Sequence, residues 1–285
     1  MNLTKPKIKL SETHRIKIIL RKFKLHTVCE ESLCPNISEC FGGRHTATFL
    51  LMGRFCTRYC SFCAIEKMKN PPPPDPEEPE NLKKAVMEMG IDYVVLTSVN
   101  RDDLEDGGAR HLAECIKAVK STGKKVEILS PDLKYKIENL DIVLSAKPDV
   151  FAHDIETVPS LYPKVRPKGD FEKSLLLLRY AKEKGFITKT SIILGLGEKK
   201  NELFETIEKV RKYAMCDILV VGQYFQPSLS KNQKAYQLEK SIWEELEALC
   251  RKLEFKSFIA GPRARSSYLA DIGFENIKGK LNLQT

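Results

Sequence analysis

Apolar residues along this chain fall into short β-rich runs separated by stretches of helical spacing. Residues 46–54, 93–99, 125–130, 149–156, 188–196, 218–224 and 257–260 predict strands. Between them, Leu82, Ala85, Val86 and Met89 recur at helical spacing, and Gly90 stops that helix. Leu112, Ile116 and Val119 mark another helix, ended near Gly123, and a weaker one covers about 135–144. A leucine-rich helix spans about 171–184, and Leu203, Ile207, Val210 and Ala214 mark the next. Ser241 and Glu244 form a capping-box pair for a helix carrying Ile242, Leu246, Leu249 and Leu253. The proline-rich stretch 71–79 predicts an extended connector. Residues 1–45 are basic, then cysteine-rich, with little clear periodicity.

Six repeated β–α units imply a parallel sheet with right-handed crossovers. The expected fold is α/β: a partial, open (β/α)6 TIM-type barrel over 46–225, with extensions at 1–45 and 226–285. A doubly wound open sheet is the competing architecture. In such barrels the site lies at the C-terminal ends of the strands. Polar and glycine residues collect there: Thr97, Ser98, Asn100, Arg101, Asp102 and Asp103 after the second strand, and His153, Asp154 and Glu156 on the fourth. Gly195, Gly197 and Glu198 end the fifth, and Gln223 the sixth. The first strand runs into a cysteine loop.

Composition narrows the class. No apolar run is long enough to cross a bilayer, and the basic N-terminus has no apolar signal core, so a cytoplasmic protein with no membrane partner is expected. The formal charge is +9, but the lysines are spread out and no basic stripe with interleaved aromatics appears. Nucleic acid is therefore not expected. The charge reads either as a lysine-rich solvated surface or as favouring an acidic protein partner. No large exposed apolar stripe is evident, so a monomer is expected.

Cysteine is the informative residue. Six of the nine fall between positions 29 and 63. The odd count and the length argue against a disulfide scaffold, and a dense cysteine run in a reducing compartment suggests metal. Cys56, Cys60 and Cys63 have the spacing C-x3-C-x2-C, with Phe62 before the last. Three thiolates can hold three irons of a four-iron cluster and leave the fourth open, where the usual cluster has four thiolates. Zinc would prefer paired C-x2-C knuckles or added histidines, and His45 is the only histidine close in sequence. Cys29, Cys34 and Cys40 form a second triplet, C-x4-C-x5-C, which suggests a second cluster, with free thiols or a disulfide as the alternative. Cys115, Cys216 and Cys250 read as small buried hydrophobes.

The first pattern resembles the radical S-adenosylmethionine superfamily, and the two triplets together resemble the lipoyl synthase family. Further segments carry the likeness: Asp75-Pro76-Glu77-Glu78-Pro79, Thr97 through Asp103 with Asp106-Gly107-Gly108, Ile155-Glu156-Thr157-Val158, and Val165-Arg166-Pro167. Gly195-Leu196-Gly197-Glu198, Gly222-Gln223-Tyr224, Gly261-Pro262 and Arg265-Ser266-Ser267-Tyr268 continue it. The resemblance implies two [4Fe-4S] clusters and S-adenosylmethionine, and insertion of two sulfur atoms at C6 and C8 of a protein-bound octanoyl chain. Cys56, Cys60 and Cys63 would be the catalytic ligand set. Cys29, Cys34 and Cys40 would hold the auxiliary, sulfur-donating cluster, with Ser267, or alternatively Ser266, as its fourth ligand. Thr97, Ser98, Asp154, Glu156, Arg166 and Gln223 would contact S-adenosylmethionine, each with a plain alternative as a rim hydrogen-bonder. The implied partners are an octanoylated lipoyl carrier domain or H protein, an electron donor of flavodoxin or ferredoxin type, and an iron–sulfur carrier that rebuilds the auxiliary cluster.

The chain also departs from the family. Asp154 stands where the family has asparagine, Thr188-Lys189-Thr190-Ser191 where it has Thr-Lys-Ser-Gly, and Lys231-Asn232-Gln233-Lys234 follows Gln226-Pro227. The competing functions are another radical enzyme with an auxiliary cluster, and a non-enzymatic cluster carrier. The first should lack Arg-Ser-Ser-Tyr, and the second needs no polar residue at every strand end.

Overall fold

A computed structural model describes residues 9–44, 47–227 and 233–282 of the chain. His45, Thr46, Lys231 and Asn232 therefore lie outside the described residues. The strands, in chain order, are β1 (His26–Thr27), β2 (Thr48–Leu51), β3 (Phe55–Cys56), β4 (Glu66–Lys67), β5 (Tyr93–Ser98), β6 (Lys125–Leu129), β7 (Val150–Ala152), β8 (Ile187–Leu194), β9 (Ile218–Gln223) and β10 (Ser257–Ala260). Eight of them form one sheet in the order β1-β2-β5-β6-β7-β8-β9-β10. All neighbours from β2 onward are parallel, and β1 is antiparallel to β2. Strand order climbs monotonically, as right-handed crossovers on one side require. The sheet does not close, since β1 and β10 are its two edges.

The apolar runs sit on these strands because both faces of the sheet are covered. Val94, Leu96, Val126, Ile128, Phe151, Leu219 and Val221 are buried there. Helices Glu78–Met89, Ala109–Lys120, Ile137–Ser145, Phe171–Glu183, Lys200–Lys212 and Ile242–Lys252 follow the strands. The first of them buries Leu82, Ala85, Val86 and Met89, the spaced set that predicted it, and Gly90 ends it at φ 69°. Asp170 accepts the Lys173 amide at 3.0 Å and caps the helix Phe171–Glu183.

Polar side chains fill part of the sheet's inner face. Glu127 and Lys189 are fully buried and pair at 2.9 Å, and the Tyr93 hydroxyl donates to the same carboxylate at 2.8 Å. Side chains two apart share a face of a strand, so this pair lies on the face that carries Leu129 and Ser191, both of which line the cavity described below.

Several boundaries differ from the expectations. The connector ends at Glu77, and Pro79 lies in the first helical turn, where its missing amide costs nothing. The fourth strand is three residues long, because regular pairing stops after Ala152; the His153 amide still bonds the Lys189 carbonyl, and the chain rejoins β8 through a Glu156–Ile192 bridge. The Ser241–Glu244 capping box does not form. Ser241 has helical dihedrals and caps no amide; its hydroxyl bonds Glu245 instead. Two helices escaped the periodicity reading. Leu10–Lys22 buries only Ile16, Ile19 and Leu20, and Ala270–Asn282 buries Phe274 and Ile277 among two glycines.

Candidate functional site

The Cys56–Cys63 loop leaves β2 through a tight turn. Met52 and Gly53 both have positive φ, 63° and 80°, which glycine adopts freely and methionine does not. The turn is braced: the Met52 amide donates to Glu78 at 2.9 Å, and His111 contacts the same carboxylate oxygen at 2.5 Å. Beyond it, β3 pairs with β4, placing Cys56 opposite Lys67. The segments after β5 and β6 and the short helix Tyr162–Val165 then hold the loop. Thr57 donates its amide and hydroxyl to the Asn100 carbonyl, at 3.1 and 2.9 Å, after β5. Arg58 points inward, gripping Asp102 at 2.9–3.2 Å and reaching Asp132 beyond β6. Ser61 donates its amide to the Val165 carbonyl at 3.0 Å.

The triplet Cys29, Cys34 and Cys40 rides on short helical turns. Thr27 caps the helix Val28–Glu31 that carries Cys29, the Cys34 amide donates to the Cys29 carbonyl at 3.1 Å, and Cys40 opens the turn Cys40–Arg44. On top of burial, Cys34 and Cys40 add to the upward shift of the Cys29 thiol, as Cys63 does for Cys60 and Cys56 for Cys63, so within each triplet the thiols feel one another. None of the nine cysteines, all of them among the described residues, forms a disulfide. Burial pushes the Cys29 and Cys60 thiols up to about 12. Such thiols are poor nucleophiles near neutrality, and a metal's positive charge is what would deprotonate them. The donor chemistry therefore fits iron–sulfur clusters at both places.

One cavity of about 590 Å³ joins these parts, a size ordinary for a small-molecule site. Cys29, Cys34, Cys56, Cys60 and Cys63 line it, with Ser266 and Ser267 from the C-terminal segment; Cys40 does not. Thr97, Ser98, Asp154, Glu156, Arg166 and Gln223 line it too. The Ser98 and Tyr224 hydroxyls are buried without a hydrogen-bond partner, so the wall has polar capacity to spend on a ligand. Thr97 is already committed to the Leu129 carbonyl at 3.2 Å. Asp154 accepts from Ser266 at 3.0 Å and also bonds Ser191. Burial, then the neighbouring Asp154, pushes the Glu156 carboxyl up to about 8, and burial raises Asp154 as well. Two carboxyls with raised pKa values, beside the Arg166 guanidinium, suit a ligand that carries a cation and a carboxylate together.

Gly195 and Gly197 have another purpose. They do not line the cavity; a side chain at either would meet Tyr236, and Glu198 accepts the amides of residues 195–197. Three residues near the site escaped the sequence reading: Arg58, Lys67 and Asp132. Asp132 follows a predicted strand end, so the strand-end rule itself would have found it. Among the described residues, Glu78, His111 and Cys115 also bring donor atoms within 4.8 Å. The direct Glu78–His111 bond fills the space an ion would need, and the trio serves the Met52 turn.

Comparison with known proteins decides the family. The radical SAM superfamily matches residues 50–210. A lipoyl synthase from Aquifex aeolicus is 46% identical over 272 residues, covering 94% of this chain and 98% of that protein. One from Caldicellulosiruptor bescii is 46% identical over 257 residues, covering 89% and 87%. The chain belongs to the lipoyl synthase family. Membership of the superfamily brings one four-iron cluster and S-adenosylmethionine. Among solved structures, Streptococcus suis SuiB bound to S-adenosylmethionine has a TM-score of 0.59 at 14% identity, over 74% of this chain and 49% of that one. That likeness supports the open-barrel fold. Among the described residues, no helix is long and apolar enough to cross a membrane.

Proposed function

We propose that this chain is a sulfurtransferase that inserts two sulfur atoms, at C6 and C8, into an octanoyl chain carried on a lipoyl domain or H protein. The observation that carries this reading is that Cys29 and Cys34 of one triplet, all three cysteines of the other, and Arg265, Ser266 and Ser267 border a single cavity. Cys56, Cys60 and Cys63 would hold the cluster that supplies the electron for opening S-adenosylmethionine. Arg166 would take the methionyl carboxylate, and Asp154 and Glu156 its cationic end. Ser98 and Gln223 are set to orient the same molecule.

Cys29, Cys34 and Cys40 would hold the auxiliary cluster that gives up sulfur, in a reducing cytoplasm. Its fourth ligand is expected from Ser267, because the Ser266 hydroxyl is engaged with Asp154. A reductant of flavodoxin or ferredoxin type and a cluster carrier complete the cycle.

The test is anaerobic. Reconstituted protein, dithionite, S-adenosylmethionine and an octanoylated lipoyl-domain peptide should yield lipoylated peptide. About eight irons per chain are expected, and about four in Ser267→Ala. Cleavage of S-adenosylmethionine without lipoylated product would point to a different radical reaction. Loss of four irons in Ser266→Ala, with Ser267→Ala intact, would reverse the serine assignment.

A further inference from the structure

Asp132 is wholly buried just beyond β6, and segments from four parts of the barrel converge on it. Arg58 of the cysteine loop donates through Nη1 to Oδ2, and Arg166 donates through Nη2 to Oδ1. The Tyr135 hydroxyl donates to Oδ2 at 2.8 Å, and His153 Nε2 stands 3.5 Å from Oδ1. The Asp132 amide in turn donates to Asn100 Oδ1 at 3.2 Å, beside the carbonyl that holds Thr57.

Each guanidinium has a second anchor. Arg58 is gripped on its other edge by Asp102, and Arg166 Nη1 donates to the Asp154 carbonyl at 2.9 Å. Two carboxylates thus balance two guanidiniums in a dry setting, where planar forks fix geometry better than an ammonium does. Arg166 lines the cavity; Arg58 and Asp132 do not.

We propose that Asp132 is a positioning residue that clasps Arg58 to Arg166, and so locks the Cys56–Cys60–Cys63 loop in register with the S-adenosylmethionine pocket. The proposal rests on the reading that S-adenosylmethionine binds in this cavity beside that loop. Its distinctive consequence concerns Arg58. The side chain of this residue does not line the pocket, yet it governs the pocket through Asp132, because moving it frees one side of the carboxylate that holds Arg166.

The experiment uses reconstituted full-length protein: wild type, Arg58→Lys, Asp132→Asn and the double variant. Two readouts are taken, the kcat and KM of reductive S-adenosylmethionine cleavage, and the change in the reduced-cluster EPR signal when S-adenosylmethionine is added. Each single variant is expected to raise KM by about 10- to 100-fold and to diminish the spectral change. The double variant is expected to be no worse than the worse single one, because both act through one contact. A cluster-loaded Arg58→Lys protein with wild-type KM and spectral response overturns the clasp. If Arg58→Lys loads no cluster, Asp132→Asn decides: a wild-type KM overturns the proposal and a raised KM supports it. Loss of the loop cluster from a folded Asp132→Asn protein also supports it, since Arg58 is the loop residue among Asp132's hydrogen-bond partners. A wild type that neither cleaves S-adenosylmethionine nor responds to it overturns the cofactor reading and the clasp together. Wild-type activity with unmoved variants overturns the clasp alone.

Discussion

Cys56, Cys60 and Cys63 sit on a loop pinned from below by the barrel, whereas Cys29, Cys34 and Cys40 sit on short turns held between the two ends of the chain. The first set of anchors is buried and charged: Arg58 on Asp102 and Asp132, with Thr57 and Ser61 on the Asn100 and Val165 carbonyls. The second, among the described residues, is partly exposed. Asn36 donates to the Arg263 carbonyl at 2.7 Å, the Tyr268 hydroxyl to Glu39 at 2.8 Å, and the Lys9 amide to the Gly42 carbonyl at 2.8 Å. A cluster that must pass an electron to a fixed cofactor gains from rigid surroundings. A cluster proposed to be dismantled and rebuilt gains from a wall that opens. The contrast in anchoring therefore matches the contrast in proposed roles.

The largest effect comes from removing one ligand on either side. Cys60→Ala is expected to abolish S-adenosylmethionine cleavage and product together. Cys34→Ala is expected to spare cleavage and abolish only lipoylated product. Iron should fall from about eight to about four per chain in each. Cleavage lost in Cys34→Ala would mean that the two regions are one functional unit.

A smaller effect tests how dry the barrel side is. His153 is fully buried, and its pKa is pushed down to about 4 by burial, with Arg166 and Arg58 adding to the shift while Asp132 opposes it. Nδ1 lies 3.1 Å from the Ser130 carbonyl, to which it must donate, so Nε2 accepts from Ser174 at 3.1 Å and the ring is neutral. The sign follows. The unfolded chain binds a proton near pH 6.5 and the folded chain does not until about 4. Stability is thus full above pH 6.5 and is lost as pH falls toward 4. Between pH 7.5 and 5.5 this group should cost about 1.3 kcal/mol. The urea midpoint of wild type relative to His153→Gln checks it, and parallel pH profiles would show that the site is wet.

The barrel side was also the more legible in sequence. Continuous β-rich runs and spaced apolar quartets such as Leu82, Ala85, Val86 and Met89 report covered strands and amphipathic helices directly. The cysteine spacings and the strand-end polar residues led to one cavity because barrel topology gathers strand ends. The clasp was not legible. Arg58 and Asp132 are 74 residues apart, and each alone reads as a solvated charge. The chain ends were harder still. Ile16, Ile19 and Leu20 make a stripe of one turn, and Gly273 and Gly279 weaken the helical signal of the last helix. No local pattern ties residue 36 to residue 263.

That tie is where the comparison is sharpened most finely. Asn36 is buried and spends its amide on the Arg263 carbonyl, two residues before the serine-bearing turn. Tyr268, just after the serines, reaches back to Glu39, next to Cys40. Asn36→Ala and Tyr268→Phe each remove a hydrogen bond worth about 1 kcal/mol, enough to raise the open population of the wall about fivefold. Chelator should then draw roughly half of the iron from either variant about fivefold faster than from wild type. The remaining iron, and the rate of S-adenosylmethionine cleavage, should not change. Iron leaving at the wild-type rate would mean that the chain ends do not gate the auxiliary site. A parallel drop in cleavage would mean that strain at the chain ends reaches the barrel, and the two anchoring systems would then be one.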